Sequence, residues 1–220
     1  MRELKYIILH HSGTPATNGI NDPDGKQIYE AICRNHHERA VKEQWLINYV
    51  EKGREEDYIV DYHFLIGPTG KVFEGQPIEM VGYHCGNKIM NLESIGICLL
   101  GDFEKIIPPQ IQIDALIDLT IDLVKKYKIP IENIKRHKDI VNTDCPGKYF
   151  PYAKIIEEIK NEMGKSVEDY QKEIEDAKTT MVRLGIITNF DQKEVDIERL
   201  SVILNRLINK IKSTGGAYGY

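Results

Sequence analysis

The sequence lacks any apolar run that approaches the roughly 18 residues needed to span a membrane as a helix, so we expect no membrane insertion. Its first apolar stretch, Tyr6 to Leu9, is too short for the apolar region of a signal peptide, and no small-residue cleavage site follows it. We therefore expect synthesis in the cytoplasm, with any role beyond the membrane depending on an export route that the sequence does not encode.

Positive charge is also not in excess, because 29 Lys and Arg residues stand against 34 Asp and Glu residues, for a net charge of -5. A nucleic-acid partner is not expected, since phosphates are neutralised by surplus Lys and Arg. There is no zinc-finger pattern and no phosphate-binding Gly-rich loop. The even number of cysteines, four, allows two disulfides, and a Cys33–Cys85 pair stays open, but a cytoplasmic chain favours reduced thiols.

The remaining composition is that of a folded protein, with 41% hydrophobic and 29% charged residues. Short apolar runs predict strands at 5–10, 62–66 and 94–100, with 71–73 as the hairpin partner of 62–66. Helical periodicity covers 26 to about 50, 110–127 and 151–163, and 132–136 reads as a short strand or turn. This alternation predicts a layered α/β domain.

Two regions are expected, a catalytic domain at 1–163 and a small helical C-terminal domain at 164–220. Ser166-Val-Glu-Asp169 reads as one helix start, and Asp191 can cap a second helix before a flexible Gly/Tyr-rich tail. Two helices of this size make a marginal core by themselves. We therefore expect them to dock or to form a homodimer contact, in a wall-targeting or oligomerising role.

Three residues that lie far apart in the sequence together predict a metal site: His10 at the end of an apolar run, His137 and Cys145. Two imidazoles and a thiolate are good zinc ligands, and three protein ligands leave a fourth position open, as in catalytic zinc sites. The alternative for His10 is a partly buried histidine bonded to backbone. His11 points to the opposite side of the strand and cannot easily share the metal.

Four blocks of the sequence carry a resemblance to a known family. They are Leu9-His-His-Ser12; Asp61-Tyr-His-Phe-Leu-Ile66 with the following Gly-Pro-Thr-Gly-Lys-Val-Phe-Glu-Gly; Val81-Gly-Tyr-His84 with Asn91-Leu-Glu-Ser-Ile-Gly-Ile-Cys-Leu-Leu-Gly-Asp-Phe103; and His137 with Thr143-Asp-Cys-Pro-Gly147. In this order they resemble the zinc-dependent type 2 N-acetylmuramoyl-L-alanine amidases, a family that includes phage amidases, autolysins, recycling amidases and animal peptidoglycan recognition proteins. The resemblance covers residues 5 to about 160.

The resemblance implies an α/β fold with a mixed central sheet, and cleavage of the amide between muramic acid and L-alanine in bacterial peptidoglycan. It implies one Zn²⁺ per chain, with His10, His137 and Cys145 as ligands. Tyr62 falls on the catalytic tyrosine of the family, and Thr143 on a second position of its catalytic site. His84 falls on a histidine that lines the substrate groove, and we assign His11 and Asn91 to substrate binding as well.

Departures from the family pattern leave the general base open. Thr143 has no ionisable group, and Cys98 stands where some recycling members carry a glutamate, so zinc-bound hydroxide and Tyr62 are the candidates. The stretch from Val41 to Ile59 is longer than is usual in the family, and we expect it to form a wall or lid over the groove.

The function expected first is that of a phage or prophage endolysin, which accumulates in the cytoplasm and reaches the cell wall after holin-type release. A cytoplasmic recycling amidase fits the missing signal peptide equally well. A peptidoglycan-binding module without catalysis is a further alternative, although such modules typically lose a metal ligand. A cysteine hydrolase using Cys145 is disfavoured because Pro146 follows directly, rather than a helix that would lower the thiol pKa.

Overall fold

The computed structural model describes residues 2–17, 21–42 and 60–166, with isolated residues between 169 and 183. The strands and helices in this part follow one another in the order β1 (Tyr6–His11), α1 (Lys26–Lys42), β2 (Phe64–Ile66), β3 (Val72–Glu74), α2 (Lys88–Glu93), β4 (Ser94–Leu99), α3 (Gln110–Tyr127), β5 (Ile134–Arg136) and α4 (Tyr152–Gly164). Single 3-10 turns at Ile131–Asn133 and His137–Asp139 flank β5.

The five strands form one sheet in the order β3-β2-β4-β1-β5. The pairs β2–β4, β4–β1 and β1–β5 are parallel, and only the β2–β3 hairpin is antiparallel. The predicted α/β class with a mixed central sheet and flanking helices is therefore confirmed.

The two central strands are covered on both faces, which explains their unbroken apolar runs. Ile7, Ile8 and Leu9 of β1 have no exposed surface, and all six residues of β4 are buried. Such runs are typical of parallel strands inside a layered domain. In the register of the sheet His10 pairs with Cys98, so their side chains leave the same face.

Helix α3 follows the predicted pattern, since its apolar side is buried at Ile113, Leu116, Ile117, Leu123 and Val124. The side-chain amide of Gln112 donates to the carbonyl oxygens of Ile66 and Leu100, at 2.8 and 3.0 Å, which ties the start of the helix to two neighbouring strands. The helix ends at Tyr127, where Lys128 adopts a left-handed conformation before Pro130.

Sequence reasoning missed helix α2 and placed the start of one strand two residues too early. Asn87 caps α2 by accepting hydrogen bonds from the backbone N–H groups of Ile89 and Met90. The strand predicted from residue 62 begins at Phe64, although Tyr62 and His63 still accept backbone hydrogen bonds from the residues after β3. The segment 132–136 is a 3-10 turn followed by β5.

The chain divides into two compact units, Met1–Lys160 and Asn161–Tyr220. Most of the second unit lies outside the described residues, so the helical C-terminal domain, its role and its homodimer contact stay predictions. No helix among the described residues is both long and apolar enough to cross a membrane. All four cysteines are free thiols, Cys33 and Cys85 included.

Candidate metal centre

The three residues predicted as metal ligands come together in space. His10 lies at the end of β1, His137 begins the 3-10 turn after β5, and Cys145 lies in the turn that leads to α4. One potential ligand atom from each lies within 4.8 Å of those of the other two. The ring centroids of His10 and His137 are 4.5 Å apart, and Cys145 Sγ lies 3.8 Å from His10 Nδ1.

Backbone groups hold the sulfur of Cys145. The N–H of His11 donates to Cys145 Sγ at 3.4 Å, and the carbonyl oxygen of Cys145 accepts from the N–H of Lys138 at 2.9 Å. Burial raises the pKa of this thiol to about 11. At neutral pH the uncoordinated thiol therefore keeps its proton, which disfavours a role as a free nucleophile and suits a ligand that is deprotonated by a cation.

The ring of His137 suits a metal on an independent ground. Its Nε2 is buried and has no hydrogen-bond partner among the residues that the structure describes, whereas the ring hydrogen-bonds to the backbone of Cys85. Histidine ligands typically offer one nitrogen to the metal and donate from the other to a carbonyl or carboxylate. A buried nitrogen without a partner, beside a second imidazole and a thiol, therefore fits a zinc ion.

His10 is fully buried, and its Nε2 lies 3.0 Å from Nδ1 of His84. The other nitrogen of His84, Nε2, lies 3.2 Å from the hydroxyl oxygen of Ser94. Burial lowers the pKa of both imidazoles well below the ordinary histidine value, so both rings are neutral at physiological pH. Both nitrogens of His84 are thus engaged inside the protein, and its predicted contact with substrate stays a prediction.

Tyr62 lies against this centre. Its ring centroid is 5.1 Å from that of His10, and its hydroxyl hydrogen-bonds to the thiol of Cys98. Burial, followed by the neighbouring Cys98 and Cys145, raises the pKa of the phenol well above its ordinary value. The phenol therefore keeps its proton and can act as a hydrogen-bond donor.

The other predicted site residues surround the ligands at different depths. Thr143 is half-buried, and its hydroxyl oxygen accepts from the N–H of Cys145 at 3.3 Å. His11 is also half-buried, and its Nδ1 accepts from the N–H of Phe103 at 3.1 Å. Asn91 is buried, and its side-chain oxygen accepts from the N–H of Cys85 at 3.0 Å. The structure therefore gives Asn91 a supporting contact, and its role toward substrate stays a prediction.

Sequence reasoning missed a buried polar group next to Tyr62. Asp61 is buried, its carboxylate accepts from Arg39, and its Oδ2 lies 3.0 Å from Nδ1 of His36. The ring of His36 lies 5.6 Å from that of Tyr62. The adjacent histidines at 36 and 37 on a predicted helix were the available signal. Of the predicted lid at Val41–Ile59, residues 43–59 lie outside the described residues.

The comparisons with known proteins agree on one family. Residues 1–148 match the family described as N-acetylmuramoyl-L-alanine amidase. The fold is similar to N-acetylmuramoyl-L-alanine amidase LysC from Clostridium intestinale URNW, with a TM-score of 0.56, 26% identity, and coverage of 72% of this chain and 87% of that chain. It is also similar to the endolysine amidase LysCS from Clostridium intestinale URNW, with a TM-score of 0.55, 27% identity, and coverage of 72% and 85%.

A related animal protein is peptidoglycan-recognition protein LB of Drosophila melanogaster, which is 28% identical over 143 residues. The alignment covers 64% of this chain and 54% of that protein, so the chain spans about half the length of this relative. Proteins named as amidases and proteins named as recognition proteins are thus both similar to this chain.

Proposed function

Because the chain belongs to the N-acetylmuramoyl-L-alanine amidase family, we propose that it is a zinc-dependent hydrolase of the amide between N-acetylmuramic acid and L-alanine in bacterial peptidoglycan. One observation carries the proposal: the potential ligand atoms of His10, His137 and Cys145 lie within 4.8 Å of one another. The buried Nε2 of His137, which has no hydrogen-bond partner in the described part of the chain, supports it, since such a nitrogen is costly to bury unless something binds it.

His10, His137 and Cys145 would hold one zinc ion per chain. When bound at such a site, zinc supplies Lewis-acid chemistry, polarising carbonyl groups and acidifying water. The protein itself supplies neutral imidazoles, because burial lowers the histidine pKa values and no proton has to leave the rings before they bind a cation. Cys145 would release its proton to water on binding a cation, and the N–H of His11, which donates to its sulfur, would stabilise the thiolate.

Tyr62 is proposed to donate a hydrogen bond to the oxygen on which negative charge develops as the amide is attacked. Its raised pKa keeps it protonated at neutral pH, which favours a donor over a general base. A donor of this kind contributes about 10²–10³ in rate in other hydrolases. Before substrate arrives, the same hydroxyl bonds to the Cys98 thiol, so binding exchanges one weak acceptor for a stronger one.

Thr143 and His11 are proposed to orient the substrate at the edge of the centre. The hydroxyl oxygen of Thr143 already accepts from Cys145, so its own proton is available for donation. His11 Nδ1 accepts from Phe103, which leaves the proton of its neutral ring on Nε2. Both side chains are half-buried and can therefore meet a ligand from solvent.

The biological role that we propose is that of an endolysin, which acts on the wall after holin-type release from the cytoplasm. The similarity to an endolysine amidase of Clostridium intestinale supports this choice over a recycling enzyme. The partner would then be intact bacterial peptidoglycan. The C-terminal residues, as a wall-targeting or dimer-forming segment, would belong to the same proposal.

A recognition module is the second candidate, because the chain is also similar to a peptidoglycan-recognition protein. The two candidates differ in what they require of the centre: hydrolysis needs all three ligands and Tyr62, whereas binding alone does not. All four of these residues are present and adjacent, which favours the enzyme.

The deciding experiment is digestion of purified peptidoglycan with and without a zinc chelator, followed by mass spectrometry of the released ends. The amidase proposal expects free L-alanine amino termini that vanish with chelator, while the glycan strands stay intact. Sugar reducing ends would contradict the proposal, and pull-down of the wall without cleavage would identify a recognition module. The same digestion, run on intact sacculi and on soluble muropeptides, separates the two roles: an endolysin should prefer the sacculi and a recycling enzyme the soluble fragments.

A further inference from the structure

A line of hydrogen bonds runs from helix α2 to the metal centre. The hydroxyl of Ser94 donates a hydrogen bond to the carbonyl oxygen of Met90, and its oxygen lies 3.2 Å from His84 Nε2. On the other side of the ring, His84 Nδ1 lies 3.0 Å from His10 Nε2. The line therefore joins Met90, Ser94, His84 and His10, and it ends at the imidazole beside Cys145.

The direction of every bond in this line follows from its first member. A carbonyl oxygen only accepts, so the single hydroxyl proton of Ser94 points at Met90, and the oxygen of Ser94 must accept from His84. Nε2 of His84 then carries the ring proton, and its Nδ1 can only accept, so the proton of His10 lies on Nε2. The lone pair of His10 is consequently on Nδ1, the nitrogen that lies 3.8 Å from Cys145 Sγ.

Water does not compete with this order, because the line is enclosed. Ser94 and His10 have no exposed surface, and His84 is 5% exposed. The ring of His84 lies directly on Gly96 of β4, where a Cβ atom would come within 2.6 Å of it. The sheet thus provides, at Gly96, the space that holds the ring in position.

Cys85, which follows His84 in the chain, contacts the second candidate histidine ligand, His137. The backbone of Cys85 is hydrogen-bonded to the ring of His137, and the N–H of Cys85 donates to Asn91 in α2. Adjacent residues, 84 and 85, therefore hold the two imidazoles, one through a side chain and the other through backbone. Both are anchored to the segment from Asn91 to Ser94.

We propose that His84 and Ser94 are positioning residues that fix His10 as its Nε2–H tautomer, so that Nδ1 is presented to the metal. This inference rests on the proposed function for the identity of the metal, and it adds residues that do not touch the ion. It also gives the histidine at 84 a task in which neither of its nitrogens is available to substrate.

The first test reads the tautomers directly. Nitrogen NMR of the full, zinc-free chain labelled in histidine distinguishes a protonated Nε2 from a protonated Nδ1. We expect Nε2–H for both His10 and His84 at neutral pH. A proton on Nδ1 of His10 would overturn the inference, whatever the protein catalyses.

The second test measures zinc affinity by competition with a chromophoric chelator. His84→Leu removes the acceptor for His10 and should weaken zinc binding by about 10–100-fold, the range for lost supporting partners of metal ligands. His84→Asn keeps an oxygen close to the position of Nδ1 and should restore most of that loss. Ser94→Ala should weaken binding by about 10-fold, because the ring of His84 is then free to change tautomer.

The matched control is Thr120→Val in α3, which removes a buried hydroxyl that has no hydrogen-bond partner among the described residues. Its zinc affinity should equal that of the parent. A purely structural role for His84 predicts lower thermal stability with and without zinc but unchanged affinity, and that result would overturn the inference. Parent protein that binds no zinc would instead contradict the proposed function, and the NMR result would still decide the tautomer.

Discussion

The ring of Tyr62 lies 5.1 Å from that of His10 at an angle of 57°, with its hydroxyl on the thiol of Cys98. The phenol is therefore adjacent to the candidate metal centre without being one of its three candidate ligands. A residue in this position can act on the substrate while leaving metal binding unchanged.

Replacement of Tyr62 by Phe should slow amide hydrolysis by about 100-fold, because one donor to the developing oxyanion is lost. Zinc content and thermal stability should stay close to those of the parent, since the ring contact with His10 is retained. The measurement is turnover on purified peptidoglycan together with zinc analysis of the same preparation. Equal activity of variant and parent would remove Tyr62 from the mechanism.

Replacement of Cys145 by Ser should abolish zinc binding and activity together, because an alcohol is a poor zinc ligand. The structure gives the Cys145 thiol a pKa of about 11, which argues for a ligand rather than a free nucleophile. Isothermal titration with zinc and the digestion assay test both properties. Full zinc binding without activity would revive the cysteine-hydrolase alternative.

The free energy of unfolding should decrease in mild acid, because His63 is protonated in the unfolded chain but not in the folded protein. Burial, followed by the charge of Arg2, lowers the pKa of His63 from 6.5 to about 3 in the folded protein. Between these values the unfolded chain binds one more proton than the folded chain, so the free energy of unfolding decreases as the pH falls. The slope contributed by this residue approaches about 1.4 kcal/mol per pH unit.

Urea unfolding from neutral pH down to about pH 4 measures this slope. The slope gives the number of protons taken up on unfolding, and His63→Gln should lower that number by about one. Other buried histidines titrate as well, so the variant should retain part of the slope. An unchanged pH dependence in the variant would show that His63 is not protonated on unfolding in this range.

Replacement of Gly96 by Ala should damage both fold and metal centre. The added Cβ would lie 2.6 Å from two atoms of the His84 ring, so the ring has to move. We expect a loss of about 1–3 kcal/mol in the free energy of unfolding, as for other overpacked sites, together with weaker zinc binding. Gly164→Ala, where a Cβ would meet no described atom within 4 Å, is the control and should lower neither the free energy of unfolding nor zinc affinity.

The sequence was sufficient to predict the sheet strands and the three residues that cluster as candidate ligands, because both follow from local patterns. The apolar runs at β1 and β4 exist because these strands are buried on two faces, and the ligands lie in blocks with a family resemblance. Helix α2 was missed because its six residues are too few to show a helical period. Asn87, its cap, was the signal that could have revealed it.

The support of the centre could not be predicted, because it depends on which atoms meet in three dimensions. Nothing in the spacing of His84 and Ser94 says that one ring lies between Ser94 and His10. The same is true of Cys85, whose contribution is a backbone group that any residue would carry. The pairing of His36 with Asp61 likewise joins helix α1 to the segment before β2 through their side chains.

The place of β1 in the sheet has a consequence for the order of folding. Among the described strands β1 comes first in the sequence, yet both of its neighbours in the sheet, β4 and β5, come much later. Pairings between such distant segments form slowly, because closing the long loop costs conformational entropy before the contacts between the strands can stabilise it. The proposed ligands His10, His137 and Cys145 close the same long loop, so a nascent chain that ends before His137 offers an ion only one of the three. Retention of zinc by this protein would therefore report that the chain from its first strand to Cys145 has finished folding.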